Sequence, residues 1–301
     1  MDEGIEAVTL REAMRWAKER LDGKTERPWR AAEILLCEAA GLERPDVYAR
    51  PELALSDEQW RCFHEWIGRH RDGEPIQYIV GREMFFGAPF IVNRHVLIPR
   101  PETELLVELV LKETDKHLGQ GKSPGQAGAA LRAADLGTGS GVIAVTLARL
   151  RPQWAVWAVD CSEQALQVAK ENARQLGVSG IRWLLGDFCM PLAEQGVRVD
   201  VLVSNPPYVA RPDLEQLDIG VRDFEPRLAL DGGEDGLDAY RRIIDRLPLV
   251  LTPGALVAFE LGIGQADAVG GLLQAAGFAS YRVETDLAGI RRFVLARFAD
   301  S

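Results

Sequence analysis

The chain is short of cysteine, histidine, long apolar runs and basic charge, and each shortage removes a class of function. Its four cysteines, Cys37, Cys62, Cys161 and Cys189, show no C-x-x-C spacing. Neither a disulfide framework nor a thiolate metal site is expected, and idle thiols in a reducing compartment are the plain reading. His64, His70, His95 and His117 make no H-x-x-x-H pair and no cluster with carboxylates, so no metal is expected. No stretch approaches the roughly 18 uninterrupted apolar residues of a membrane span. The opening MDEGIEAVTLREAMRW is acidic and amphipathic, without the basic-then-apolar order of a secretory signal, so the cytoplasm is the expected compartment. Lys and Arg number 35 against 45 Asp and Glu, a formal charge of −10. Binding to naked nucleic acid draws on cations that neutralise phosphates, so no direct nucleic-acid partner is expected.

What is present suits a globular protein. A chain of 301 residues, 47% hydrophobic, has room for one large domain and one small. The first seventy-odd residues carry helical periodicity. Leu10, Met14, Ala17 and Leu21 share a face, and an apolar run over residues 31–37 stops near Gly41. Ser56 followed by Gln59 suits a capping box, ahead of a stripe of Trp60, Phe63 and Ile67. Such a stripe is more simply the core of a helical bundle than a cofactor box. From Gln77 to Leu97 the pattern turns β-like, with runs at 77–80, 84–86 and 89–92 separated by Gly81, Gly87 and Asn93. This predicts a hairpin between two domains. A helix over 105–111 and a Gly/Ser-rich surface loop over 119–128 follow.

Strands and helices then alternate. Strands are predicted at 131–136, 155–159, 181–185, 199–204, 255–260, 281–285 and 292–297, with helices at 142–150, 163–176, 237–250 and 265–276. Alternation of this kind gives an α/β sheet with ligands at the carboxyl ends of its strands. The domains are therefore expected at 1–75 (helical), 76–98 (hairpin linker) and 99–301 (catalytic).

Three successive strand ends describe a nucleoside site. The first leads into Gly137-Thr138-Gly139-Ser140-Gly141 and then a helix. Glycines let backbone approach a ligand where a side chain would collide. Such a loop also fits dinucleotide folds or a bare βα turn. Here it lacks the final spacing of the pyrophosphate fingerprint and holds no basic residue. The second strand ends at Asp160, placed to accept from both ribose hydroxyls. The third ends at Asp187 and Phe188, an acceptor for an adenine amino group and a ring to lie against it. Together they predict adenosine without phosphates, as in S-adenosylmethionine, with Asn205 closing the same site.

The fourth strand delivers Asn205-Pro206-Pro207-Tyr208. The prolines fix their φ angles and remove two donors. The Asn205 side-chain oxygen and the Pro206 carbonyl are then two acceptors matching the two donors of a planar NH₂ group, and Tyr208 adds an aromatic face. Positioning, without a strong base, would be the main catalytic device. A Pro-Pro turn that merely ends a strand is the plainer alternative, weakened because this turn adjoins a cofactor loop.

With these residues in view, the chain resembles the protein-(glutamine-N5) methyltransferases that modify peptide chain release factors, the PrmC or HemK family. The resemblance runs through Glu74 to Gly81, Phe85-Phe86-Gly87, Val96 to Glu104, Asp135 to Gly141, Asn205 to Tyr208, Phe224 to Leu230 and Asp235-Gly236-Leu237. It implies a Rossmann-like class I S-adenosylmethionine methyltransferase sheet of α/β class, with a small N-terminal helical bundle joined by a β-hairpin. It further implies class I release factors as partners, and the glutamine of their Gly-Gly-Gln loop as the group methylated. Asn205 and the Pro206 carbonyl would hold the glutamine amide, and the front domain would help grip the release factor.

The N-P-P-Y tetrad also resembles adenine-N6 methyltransferases, and a non-catalytic module on the same fold is a further alternative. Acidic charge argues against the first, and the intact Asn205 and glycine loop against the second. Two departures stand out. Gly289-Ile290-Arg291-Arg292 stands where Gly-Asn-Asp-Arg is expected, and Phe188 where tryptophan is frequent. The Arg291-Arg292 pair reads as a solvated face.

Overall fold

The computed structural model describes residues 8–119 and 130–299. The loop expected over 119–128 lies outside the described residues beyond Gly119, as do the first seven residues of the chain.

Two compact units emerge, one running up to Gly81 and taking in Ile219–Phe224, the other comprising Arg82–Asp218 and the chain from Glu225 onward. In the first, helices α1 (Leu10–Leu21), α2 (Pro28–Ala40), α3 (Arg44–Ala49), α4 (Asp57–Arg71) and α5 (Ile76–Val80) surround one core. The predicted face of α1 is buried, as are Phe63 and Ile67, while Trp60 packs at the core's edge. Ser56 and Gln59 do form a capping box at the start of α4, at 2.9 and 3.2 Å.

One expectation fails here. Residues 77–80 are helical, not extended. Pro75 stands as the N-cap of α5 and Gly81 ends it in the left-handed region at φ 81°. Tyr78 and Ile79 are buried, so packing and caps override the β preference of Ile and Val.

The second unit opens with the hairpin β1 (Arg82–Phe85) and β2 (Ala88–Ile91). Phe86, predicted within a strand, is in the turn instead. Phe86 and Gly87 have φ of 50° and 70°, the two positive values a tight hairpin turn demands. Phe85 and Phe90 bury into the larger unit's own core beside Leu106 and Val107 of α6 (Pro101–Gly119).

The sheet has order β5-β4-β3-β6-β7-β9-β8. Its strands are β3 (Arg132–Leu136), β4 (Ala155–Asp160), β5 (Arg182–Leu185), β6 (Val199–Ser204), β7 (Leu251–Glu260), β8 (Tyr281–Thr285) and β9 (Arg291–Arg297). Pairs from β5 to β7 are parallel, and β9 runs antiparallel to both neighbours. Side chains alternate between two cores, Ala133, Val156 and Val201 to one face and Ala134, Trp157 and Leu202 to the other, as strand pleating requires. The faces are covered by helices that include α7 (Val142–Leu150), α8 (Glu163–Gln175) and α9 (Met190–Glu194).

The helix predicted over 237–250 is broken. After α10 (Ile219–Arg222) of the first unit come α11 (Asp238–Ile244) and α12 (Leu247–Val250), and Pro248, near the start of α12, has no N–H to bond back to Ile244. Then α13 (Ala266–Ala275) precedes β8. The chain builds outward from β3 to β5, then returns to β6 on the opposite side of β3. That reversal opens a crevice at the carboxyl ends of β3 and β6.

Candidate active site

The crevice holds a cavity of about 430 Å³, lined from both sides of the switch point. Gly137, Thr138, Gly139 and Ser140 line it, as do Asp160, Asp187, Phe188, Asn205 and Pro207. Gly141, Pro206 and Tyr208 do not reach its wall.

The glycine loop is held by its neighbours. The amides of Gly137 and Thr138 both donate to the Val159 carbonyl, at 2.9 and 3.0 Å. Gly141 begins α7 at φ 83°, and a Cβ there would stand 2.9 Å from Ala169 Cβ. Only glycine combines that backbone with that approach. Beneath the loop, Asp135 is fully buried. Its Oδ2 accepts from Thr138 Oγ1 at 2.6 Å and from the Ala144 amide at 3.1 Å, while Oδ1 has no partner. Burial pushes this carboxyl up to about 7.

Asp160 accepts the Gly139 amide on Oδ2 and the Ser162 amide on Oδ1, both at 2.9 Å. Each oxygen keeps a further lone pair. Burial raises its carboxyl, against those backbone bonds. Asp187 is ion-paired to Arg242 through Oδ1, with Arg246 3.9 Å from Oδ2. Phe188 holds φ 43°, a strained value for an aromatic residue, and the Arg242 guanidinium lies 5.2 Å from its ring centre. Arg242 thus lines the cavity as a neutralised cation, a contact the sequence reading did not include.

The strand end at Asn205 is wired from behind. Asn205 Nδ2 donates to Thr103 Oγ1 at 3.2 Å, and Thr103 Oγ1 donates to Glu260 Oε2 at 2.7 Å. Pairing of Ser204 with Phe259 in β6 and β7 sets Asn205 beside Glu260. Glu260 is 2% exposed, and burial pushes it up to about 7. Tyr208 is half-buried. Its carbonyl accepts from Gln265 Nε2 at 2.9 Å, and burial, aided by Glu260, pushes its phenol to about 12.

The opposite wall joins two segments. Glu225, 5% exposed, accepts from Arg100 Nη2 at 2.7 Å and from the Ile98 amide at 3.3 Å. Pro226, Leu228 and Ala229 follow it along the cavity. Thr103, Glu260, Asp135 and the Arg100–Glu225 pair were not named as site residues from sequence. Arg100, Thr103, Asp135 and Glu225 lie in segments that carry the family resemblance, and Glu260 does not, but nothing in the sequence assigned their partners.

Of the departing pair, Arg291 is an exposed partner of Asp267, at 2.7 and 2.9 Å. Arg292 turns inward to Asp286 and the Leu261 carbonyl, at 3.4 and 3.3 Å, so only half of the pair is a solvated face. Among the described residues no group of three or more His, Cys, Asp or Glu is arranged to hold a metal, and no helix is long and apolar enough to cross a membrane.

Residues 12–81 match the family described as PrmC N-terminal domain, and residues 123–221 match the Methyltransferase small domain. A release factor glutamine methyltransferase from Bacillus anthracis is 43% identical over 286 residues, covering 95% of this chain and 98% of the relative. The chain belongs to the release factor glutamine methyltransferase family. The Moorella thermoacetica member is 44% identical over 292 residues, with 96% and 98% covered.

Among solved structures, the hMettl16 catalytic domain in complex with MAT2A 3'UTR hairpin 6 superposes with TM-score 0.54 at 18% identity, over 82% of this chain and 84% of that one. Human methyltransferase 10 domain containing protein gives 0.51 at 21%, over 71% and 90%. At such identities the likeness is one of fold: the class I methyltransferase sheet. In this member of the family that sheet is mainly parallel, and the matched N-terminal domain is helical.

Proposed function

We propose that this enzyme methylates the side-chain amide nitrogen of the glutamine in the Gly-Gly-Gln loop of class I release factors, using S-adenosylmethionine. The observation that carries the reading is Asn205. With its NH₂ end bound to Thr103, its oxygen is left to the cavity that the glycine loop also lines.

The donor set suits an adenosine cofactor. Gly137 to Gly141 would pass beneath it, Asp160 would accept from the ribose hydroxyls, and Asp187 and Phe188 would flank the adenine. The cavity volume falls within the range of roughly 300–1,000 Å³ usual for small-molecule sites. No cation stands in the loop to call for a phosphate.

Bound there, the cofactor supplies a methyl group on a sulfonium, with a neutral thioether as its leaving group. Asn205 Oδ1, on the cavity wall, and the Pro206 carbonyl, outside that lining, would accept the two hydrogens of the glutamine amide. That hold works against the amide's delocalisation and aims the nitrogen lone pair along the line of displacement. Pro207 keeps the backbone extended so that both acceptors converge. The amide nitrogen that takes up the methyl would release one N–H proton to water. Tyr208 stays neutral throughout the working pH range and, set back from the cavity wall, is no base for the reaction. The helical front unit helps grip the release factor, a substrate that places the work in the cytoplasm.

Incubation with methyl-labelled cofactor and either a class I release factor or unmethylated DNA tests the reading. Label in the release factor alone is expected. Label in DNA alone would overturn it in favour of adenine methylation.

A further inference from the structure

Behind Asn205 stand Thr103, at the edge of the cavity lining, and Glu260, which is not among the lining residues. Thr103 and Glu260 are each 2% exposed, so water does not compete for the bonds that link them at 2.7 Å and link Thr103 to Asn205 at 3.2 Å. A hydroxyl carries one proton. While Glu260 is a carboxylate it only accepts, so Thr103 must donate to it. The Thr103 oxygen then accepts from Asn205, which only the NH₂ end of the carboxamide can satisfy. That leaves Oδ1 for the cavity.

A protonated Glu260 reverses every step. It donates to Thr103, the Thr103 proton turns toward Asn205, and the carboxamide is satisfied with its oxygen inward. Its NH₂ group then faces the cavity. Against a substrate NH₂, donor meets donor, and the hold is lost.

Building on the reading that Asn205 holds the substrate amide, we propose that Glu260, acting through Thr103, sets which end of the Asn205 carboxamide faces the substrate, with charged Glu260 the active form. Both are positioning residues.

The groups around Glu260 tune this arrangement. Arg100 faces it from just before α6, Glu102 from the first turn of α6, Arg292 from β9, Tyr208 from the segment after β6, and Tyr240 from α11. The Tyr240 hydroxyl donates to the Glu260 backbone carbonyl at 2.7 Å. Burial raises the carboxyl, and the Thr103 bond offsets part of that rise. Glu102 adds to it, while Arg292 and Arg100 pull it back, which leaves the group at about 7. The rate is therefore lost as pH falls through neutrality and regained above it. Arg292, held by Asp286 and the Leu261 carbonyl, gains a role as a cation favouring the active form.

The test compares wild type, Thr103→Val, Thr103→Ser and Glu260→Gln over roughly pH 5.5–8.5. The readouts are kcat and KM for a class I release factor, with S-adenosylmethionine affinity measured by calorimetry. Wild-type kcat is expected to fall on the acid side with the slope of one proton. Thr103→Val should lower kcat by about 10–100-fold, leave cofactor affinity within about twofold, and lose the acid limb. Thr103→Ser should restore most of the rate and the limb. Glu260→Gln can offer Thr103 either an acceptor or a donor, so an intermediate kcat without the limb is expected.

A Thr103→Val protein with wild-type kcat and an intact acid limb overturns the proposal. So does a wild-type kcat without an acid limb, which needs no variant to fold. A wild-type protein that binds cofactor but methylates no release factor is a separate failure. It sinks the substrate reading and this inference with it, whereas the first two results sink the inference alone.

Discussion

Arg100 donates from Nη2 to Glu225 Oε1 at 2.7 Å, across 125 residues of chain, and the two segments it joins form one wall of the cavity. The pair explains why the segments at 96–104 and 224–230 belong together. The first carries Thr103 to Asn205, and the second carries Pro226 and Leu228 to the cavity mouth. Arg100→Ala would leave the Glu225 carboxyl buried without its cation. Because Arg100 is partly exposed, a loss below the roughly 3–5 kcal/mol of fully buried pairs, about 1–3 kcal/mol, is expected. Denaturant unfolding measures it, and KM for the release factor should rise with it.

Phe188→Ala removes the ring beside the glycine loop, where Gly137 would meet it at 3.7 Å if it had a Cβ. Loss of one aromatic face should weaken cofactor affinity by about 10-fold, a typical cost of losing a stacked base. The backbone at φ 43° is strained for either residue, so the unfolding midpoint should move little. Calorimetry against S-adenosylmethionine checks the first part and thermal melting the second.

Asn205→Ala separates binding from chemistry. Removing one of two acceptors for the glutamine amide should cut kcat by about 100-fold or more, the scale of losing one aimed polar group. Cofactor affinity should fall far less. A variant that binds cofactor and keeps full activity would show that the amide is not held there.

Asp135 makes stability depend on pH in an unusual direction. Its carboxyl sits at about 7 in the fold against an ordinary 3.8. The folded chain therefore holds this proton more tightly than the unfolded one. Its contribution is full below pH 3.8 and is lost as pH rises toward about 7. Glu260 acts in the same sense, so a comparison isolates Asp135. The stability of Asp135→Asn relative to wild type should climb between those two values and level off above them. A difference independent of pH, in urea midpoints, would contradict the assignment.

Much of the site was legible because it is contiguous in sequence. The glycine loop, Asp160 and Asn205-Pro206-Pro207-Tyr208 each sit where a predicted strand ends, and β6 and α7 have the predicted bounds. The wiring between them was not legible. Thr103 meets Glu260 across 157 residues, and Asp187 meets Arg242 across 55. Neither partner carries a local signal, since a lone acid at a strand end has many uses. Local misreadings had local causes: Pro75 and Gly81 cap a helix over residues that favour strand, and Pro248 breaks a helix whose periodicity continued through it.

The most direct measurement is mass spectrometry of the Gly-Gly-Gln loop peptide from a class I release factor incubated with this protein and S-adenosylmethionine. One added methyl, about 14 Da, is expected on the glutamine side-chain nitrogen, and it should form about 100-fold more slowly with Asn205→Ala, where the amide has lost an acceptor. An unmodified glutamine under conditions in which the protein binds cofactor would contradict the assignment of substrate.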